Sequence, residues 1–300
     1  MGRNYFLDKD ALIDKNDNIF FVLTNYNPYG YVFAYLKYIY TGKGLWKGFD
    51  RNLRYYGIRN LLQSRQEFIY EPCFGASFPI KRLSEVKKHL TPEDKIDEII
   101  RKSSTSELDE IILDLISKID VKNIGITGSI LLNIQHSKSD IDFVIYGDKD
   151  TEDFFNTFEG FDIDKDWILE TSKNYNIPVE LAKSLYNKKT RGIYKGIKYS
   201  ILFVDNKPWQ YCKDICIKEG PIKISGDIYG DVRALYYPST AFLFSNKKTF
   251  KILSYEGIYN TVLYGNHKVE IYGMLMECNE DNTIIVGDRE IGGYIRPYMQ

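Results

Sequence analysis

The chain has 300 residues, a net charge of -1 and 44% hydrophobic residues. That much apolar sequence supports packed cores and excludes bulk disorder. The near-zero charge excludes a global field for polyanions, so a nucleic-acid contact would need a local basic surface.

The first region, residues 1–90, reads as a small β-rich domain. Ile19-Phe-Phe-Val-Leu-Thr24 is a strand-like run. Asn25-Tyr-Asn-Pro-Tyr-Gly30 supplies turn residues, and Tyr31 to Tyr38 returns as a second strand. The N-terminus carries no apolar signal core, and Leu7 stands where a myristoylation motif starting at Met1-Gly2 wants Ser or Thr nearby. No apolar run is long enough for a membrane helix, so no membrane partner and a cytoplasmic location are expected.

The stretch 35–59 combines Lys37, Lys43, Lys47, Arg51, Arg54 and Arg59 with Tyr35, Tyr38, Tyr40, Trp46, Tyr55 and Tyr56. Charge for phosphates and rings for bases would suit RNA; a solvated face with Tyr packed beneath it is the other reading. Overall the 25 Tyr are spread along the chain, which reads as compositional bias. Cys73, Cys212, Cys216 and Cys278 offer one Cys-x-x-x-Cys spacing and no second pair, which argues against zinc and for reduced thiols.

Residues 91–218 read as a core with leading helices. Thr91 before Pro92 starts one helix, with Ile96, Ile99 and Ile100 on one face. A second runs from about Ser106, with Leu108, Ile111, Ile112, Leu115, Ile116 and Ile119 at helical spacing. Next comes a β-branched run, Ile124 to Thr127, closed by Gly128. Ser129 can cap a helix from Ile130 to about Gln135. A polar loop, His136 to Ser139, leads to a strand from Ile141 to Tyr146.

Asp140 and Asp142, two apart on a strand, project to the same side. Two carboxylates held together repel unless a cation lies between them, and Mg²⁺ takes hard oxygen ligands shared with phosphate. Gly128 and Ser129 offer a phosphate cradle at a helix start, where Gly permits close backbone approach. Lys138 and His136, in the intervening loop, could touch phosphate, although a lone loop His is more often just exposed.

A strand ending in Gly128-Ser129, a short helix, then Ser-Asp140-Ile-Asp142-Phe opening a strand resembles the nucleotidyltransferases of the DNA polymerase β superfamily. The apolar run follows the Asp pair, which argues against dehalogenase-like phosphatases and glycosyltransferases. The resemblance implies an α+β fold: a polymerase-β-like core, a mixed sheet with helices on one side, flanked here by two small β-rich domains. It implies nucleotidyl transfer from an NTP to a hydroxyl with release of pyrophosphate, using Mg²⁺ or Mn²⁺ held by Asp140 and Asp142. The layout is also similar to an archaeal group of nucleotidyltransferases without established substrate.

The family adds a third carboxylate on a later strand. Ile197 to Val204 is that strand, paired in a hairpin with Arg191 to Tyr194 across Lys195-Gly196. Its only acid is Asp205, so Asp205 is the candidate third catalytic and metal-binding residue, while Ser200 stands where an acid would be expected. Without that acid the chain would be an NTP- or RNA-binding protein lacking turnover. Asp162 and Asp164 read as a cap or turn. Lys183, Lys188, Lys189, Arg191, Lys195 and Lys198 could neutralise triphosphate, or lie on a solvated face. Residues 219–300 alternate short apolar runs with turns such as Asn279-Glu-Asp-Asn282, and read as a small antiparallel barrel or sandwich.

Overall fold

The structure is a computed structural model and describes residues 3–53, 55, 57–102, 105–213, 215–279 and 281–298. Met1, Gly2, Arg54, Tyr56 and Glu280, all used above, lie outside the described residues. Helices and three sheets follow one another along the chain.

The first sheet contains β1 (Ala11–Asp14), β2 (Ile19–Val22), β3 (Tyr31–Gly44), β4 (Gly48–Arg51), β5 (Phe68–Glu71), β6 (Ala76–Arg82) and β7 (Val86–Leu90). Among the described residues its order is β5-β6-β3-β2-β1-β7, with β4 returning on β3. A short helix, α1 (Ile58–Leu62), lies between β4 and β5.

Two helices lead into the core, each started by its own side chains. The Thr91 hydroxyl accepts the Asp94 N–H at the start of α2 (Pro92–Arg101). Ser106 and Asp109 form a capping box on α3 (Glu107–Ile119), so two otherwise orphaned donors are satisfied. The central sheet contains β8 (Ile124–Ile126), β9 (Ile141–Tyr146), β10 (Arg191–Tyr194) and β11 (Ile197–Val204), in the order β10-β11-β9-β8. β11 runs parallel to β9, and the outer pairs are antiparallel. Helices α4 (Gly128–Leu131), α5 (Asp148–Thr157), α6 (Lys165–Tyr175) and α7 (Val179–Leu185) fill the connections. Asp164 caps α6 by accepting the Trp167 N–H.

Alternation divides this sheet into two faces. Phe143, Ile145, Tyr199, Ile201 and Phe203 pack with Ile99, Ile112, Leu115 and Phe154 of the helices. At about 1.5–3 kcal/mol per buried large side chain, this layer holds the helices on the sheet. Val144, Tyr146 and Val204 point the other way and pack against Leu7. Asp142 and Ser200 share that second face by the same alternation.

The third sheet contains β12 (Cys216–Gly230), β13 (Ser239–Ser245), β14 (Lys248–Ser254), β15 (Gly265–Cys278), β16 (Asp281–Val286) and β17 (Tyr294–Pro297), with α8 (Asn260–Leu263) after β14. Its order is β12-β13-β14-β16-β15-β17, and β12 also pairs β15 along its length, which closes a five-stranded barrel. The expected antiparallel arrangement needs one correction, since β14 and β16 are parallel. A parallel pair requires a long crossover, here α8 and β15.

The regions read as separate domains share cores. Phe33, Phe78 and Ile80 of the first sheet pack with Met274, Met276 and Ile285 of the barrel. Ala11, Phe21 and Tyr38 pack with Leu131 and Ile134 of the central region. Val232, Leu235 and Tyr236, between β12 and β13, join the core beneath the helices. The expectation of reduced thiols is also corrected. Cys73 is bonded to Cys212 and Cys216 to Cys278. Cys216 and Cys278 are register partners on β12 and β15, and tertiary packing brings Cys73 to Cys212, a proximity that sequence spacing does not show.

Glu256 ties the first region to the barrel by accepting the Ile58 N–H of α1 at 3.0 Å. Burial pushes its carboxyl up to about 7, against the pull of that hydrogen bond and of Arg289 and Arg59. The folded form therefore holds its proton more tightly than the unfolded chain. Stability from this group is full below about pH 4.5 and lost as pH rises through about 7. Glu256→Gln keeps the acceptor and removes the charge. It is expected to be more stable than wild type by about 3 kcal/mol at pH 8, with the difference vanishing near pH 4. Denaturant unfolding at the two pH values measures this, and an equal difference at both would contradict it.

Candidate active site

Asp142 enters β9 on the face opposite the helices, and Asp140 immediately precedes the strand. Both are half-buried. In the parallel ladder between β9 and β11, Asp142 lies opposite Ser200. Burial pushes the Asp142 carboxyl up to about 6 and the Asp140 charge adds to the rise. Lys37, Arg191 and a hydrogen bond from the Ser200 hydroxyl act in the opposite direction. The pair is thus held together at an electrostatic cost that nearby cations reduce.

Gly128 closes the site from behind. Its φ is +68°, and a Cβ there would fall 2.3 Å from the Asp142 Oδ2. Only glycine satisfies both the left-handed backbone and the carboxylate packed against it. The Thr127 N–H donates to the Asp142 backbone carbonyl at 2.9 Å, and the Thr127 hydroxyl donates to the Lys9 carbonyl at 2.8 Å. Cradle and Asp pair are therefore pinned to each other and to the first region.

The helix expected from Ile130 to about Gln135 is instead α4, four residues from Gly128 to Leu131. Ser129 lies buried within it, and Thr127 holds the cap position without a side-chain cap bond. A helix this short brings little macrodipole. Lys138 is exposed in the loop before the Asp pair, where its N–H donates to His136 Nδ1. His136 itself packs beside Trp46, with ring centroids 5.4 Å apart.

Asp205 is not part of this site, for two reasons. It follows β11 by alternation on the helix-covered face, with Tyr199, Ile201 and Phe203. It is also five residues beyond Ser200, about 16 Å along the strand from the Asp142 level. There the Trp209 indole N–H donates to its Oδ2 at 2.8 Å, and Asn25 donates to its backbone carbonyl at 2.7 Å. These bonds tie Asp205 to the Trp209 and Asn25 side chains rather than to the Asp pair.

The position facing Asp142 is filled by Ser200, whose hydroxyl accepts a hydrogen bond from the Arg191 guanidinium. Of the six basic residues in the 183–198 stretch, Arg191 acts on Asp142. Lys189 pairs with Glu159, Lys195 with Asp114, and Lys198 with Asp164 and Asp166. Lys37, from β3, acts on Asp142 from the first sheet. Nothing in local spacing announces that meeting across more than a hundred residues. The other aromatic residues around Lys37 are mostly engaged. Tyr38 is 1% exposed, Trp46 packs on Tyr38, and Tyr35 packs beside Phe21. Tyr40 remains largely exposed.

A glycine is thus backed onto the second Asp of a strand-opening pair, on the sheet face opposite the helices. Residues 107–204 match the family model of the nucleotidyltransferase domain. The match spans α3 to the end of β11 and stops at Val204, short of Asp205. It is consistent with the polymerase-β-like reading. No curated protein and no solved structure matches the chain. Among the described residues, no helix is long and apolar enough to cross a membrane.

The nucleotidyltransferase domain's family relation implies a divalent metal. The donor set here is two carboxylates, and among the described residues no cluster of three or more His, Cys, Asp or Glu could hold a metal ion. Two carboxylates suit one hard cation whose other positions are taken by substrate phosphate and water. A second ion held by a third carboxylate does not fit, because Ser200 and Arg191 fill that side.

Proposed function

We propose that the chain transfers a nucleoside monophosphate from an NTP to an acceptor hydroxyl and releases pyrophosphate, through Asp140 and Asp142. The observation that carries this reading is the Asp pair with Gly128 packed against Asp142. Asp140 and Asp142 would hold Mg²⁺ or Mn²⁺, which supplies Lewis-acid stabilisation of phosphate charge. The backbone N–H groups of Gly128 and Ser129, at the turn beside Asp142, would meet the β and γ phosphates. Arg191 and Lys37 offset the negative charge that substrate adds beside Asp142. Lys138, on the exposed loop, is placed to meet the outer phosphates. The bond formed joins the acceptor oxygen to the α phosphorus, and the bond broken is the α–β bridge. Pyrophosphate leaves with the electron pair, and the hydroxyl proton passes to solvent.

Ser200 at the place of a third carboxylate favours a second reading, in which the domain binds NTP without turning it over. One experiment separates them. Label transfer from α-labelled ATP, CTP, GTP and UTP to RNA, protein and metabolites is followed with Mg²⁺ or Mn²⁺. Transfer by wild type, absent in the Asp140→Ala, Asp142→Ala variant, is the expected result. NTP binding with no transfer would establish the second reading. Neither binding nor transfer would overturn both.

A further inference from the structure

The barrel's strand order, β12-β13-β14-β16-β15 closing back on β12, has one parallel pair, β14 with β16, and a helix after its third strand. This is the connectivity of the oligonucleotide- and oligosaccharide-binding barrel, in which ligand lies across the outer face of strands two and three. Connectivity alone fixes no ligand, so the face itself must be read.

Along β13, Ala241 and Leu243 point into the barrel core, while Phe242 and Phe244 point outward, 51% and 47% exposed. Tyr229 of β12 is the register partner of Phe242 and is 51% exposed. Paired residues of a ladder share a face, so the three rings form one cluster, with the two Phe about 7 Å apart along the strand. Gly226 makes this junction possible, because a Cβ there would lie 2.3 Å from the Phe244 carbonyl oxygen where β12 crosses to β13.

Cations surround the cluster. Lys251 is the register partner of Phe242, Lys248 begins β14, and Lys268 lies across from Asp227 beside the rings. Asp227, register partner of Phe244 and of Lys268, lies within the patch. Glu270 is engaged by Lys223 at 3.2 Å and by Arg296 at 3.8 Å. The other end of this outer face is covered, because Met274 and Ile285 pack against the first sheet. The rings and lysines are thus gathered where the barrel is open. Singly exposed apolar residues are common, but a contiguous cluster of half-exposed rings flanked by lysines is a recognition surface. Half-exposed rings set among lysines fit a strand that offers base faces and phosphates together.

We propose that this face binds single-stranded RNA, with bases stacked on Tyr229, Phe242 and Phe244 and phosphates met by Lys248, Lys251 and Lys268. Thr249 and Asn266, register partners of Phe244 and Tyr229, put a hydroxyl and an amide beside the rings for ribose 2′-hydroxyls. The proposal stands independently of the transfer reading, since binding needs none of the Asp140 and Asp142 chemistry.

The test uses the full chain and fluorescent oligonucleotides of about 12 nucleotides. Single-stranded RNA, the same sequence as single-stranded DNA, and RNA duplex are titrated from about 0.05 to 0.2 M salt. Wild type is expected to bind single-stranded RNA. The Tyr229→Ala, Phe242→Ala, Phe244→Ala variant is expected to bind roughly 100-fold more weakly. Lys251→Ala with Lys268→Ala is expected to flatten the salt dependence. All variants are checked for wild-type melting, and the lysine variant retains the barrel's packing if the ring variant does not. Failure of wild type to bind, equal binding by the ring variant, or a preference for DNA or duplex would each overturn the proposal. So would a dimer that the ring variant abolishes without any RNA binding.

Discussion

Asp142→Asn is expected to reduce nucleotidyl transfer by about three orders of magnitude or more, with the fold intact. Asn matches the shape of Asp and can keep the bond from Ser200, so the substitution removes charge and little else. A divalent cation shared with the substrate contributes several kcal/mol of transition-state stabilisation. A loss of about 4 kcal/mol corresponds to a thousandfold in rate. Asp205→Asn is the matched control. It lies on the other face of the sheet, hydrogen-bonded to Trp209, and transfer is expected to persist at the wild-type level. Steady-state label transfer on both variants decides the matter. Retention of activity by Asp142→Asn to within about tenfold would remove the Asp pair from the chemistry. An equal loss in Asp205→Asn would return Asp205 to it.

Asp10→Ala is expected to cost about 3–5 kcal/mol of stability, the largest single effect among the polar contacts. Asp10 is fully buried, and its carboxylate accepts two bonds from Arg3, at 2.7 and 2.9 Å, one from the Leu7 N–H, and lies 2.8 Å from His89 Nε2. Arg3 continues to Glu93, which accepts the Tyr146 hydroxyl at 2.9 Å. This network joins the first sheet, α2 and the central sheet. Removing Asp10 leaves a partly buried guanidinium with half its partners and an unsatisfied N–H. The Arg3→Met, Asp10→Leu double variant removes both charges and is expected to regain most of the loss. Urea unfolding of both variants measures the difference, and a single variant within about 1 kcal/mol of wild type would contradict the assignment.

What the sequence disclosed was local. The helix starts at Thr91 and Ser106, the Lys195-Gly196 hairpin, the Asp pair on its strand and the glycine behind it each depend on residues a few positions apart. Such features follow from period, caps and turn chemistry. What it concealed depended on which face of a strand meets which layer. Asp205 has the right residue type at the end of the right strand, but alternation turns it toward the helices. Ser200, facing Asp142, follows from the register of two strands separated by more than fifty residues. Lys37 reaches the site from another sheet, and its neighbours Tyr38 and Trp46 pack inward although their composition suggested a binding surface. The ring cluster on the barrel depends on three residues from two strands joined only by register.

The bond between Cys73 and Cys212 closes a loop of the chain, and residues 107–204 lie wholly inside it. The nucleotidyltransferase domain is therefore, in covalent terms, a pendant whose two ends are fastened to one point beside the barrel. In the chain-entropy account, closing so long a loop removes about 5 kcal/mol of freedom from the unfolded chain. A single backbone cut anywhere in the pendant leaves both pieces attached. The site would stay joined to the barrel and its exposed rings even in a nicked molecule, until the bond is reduced.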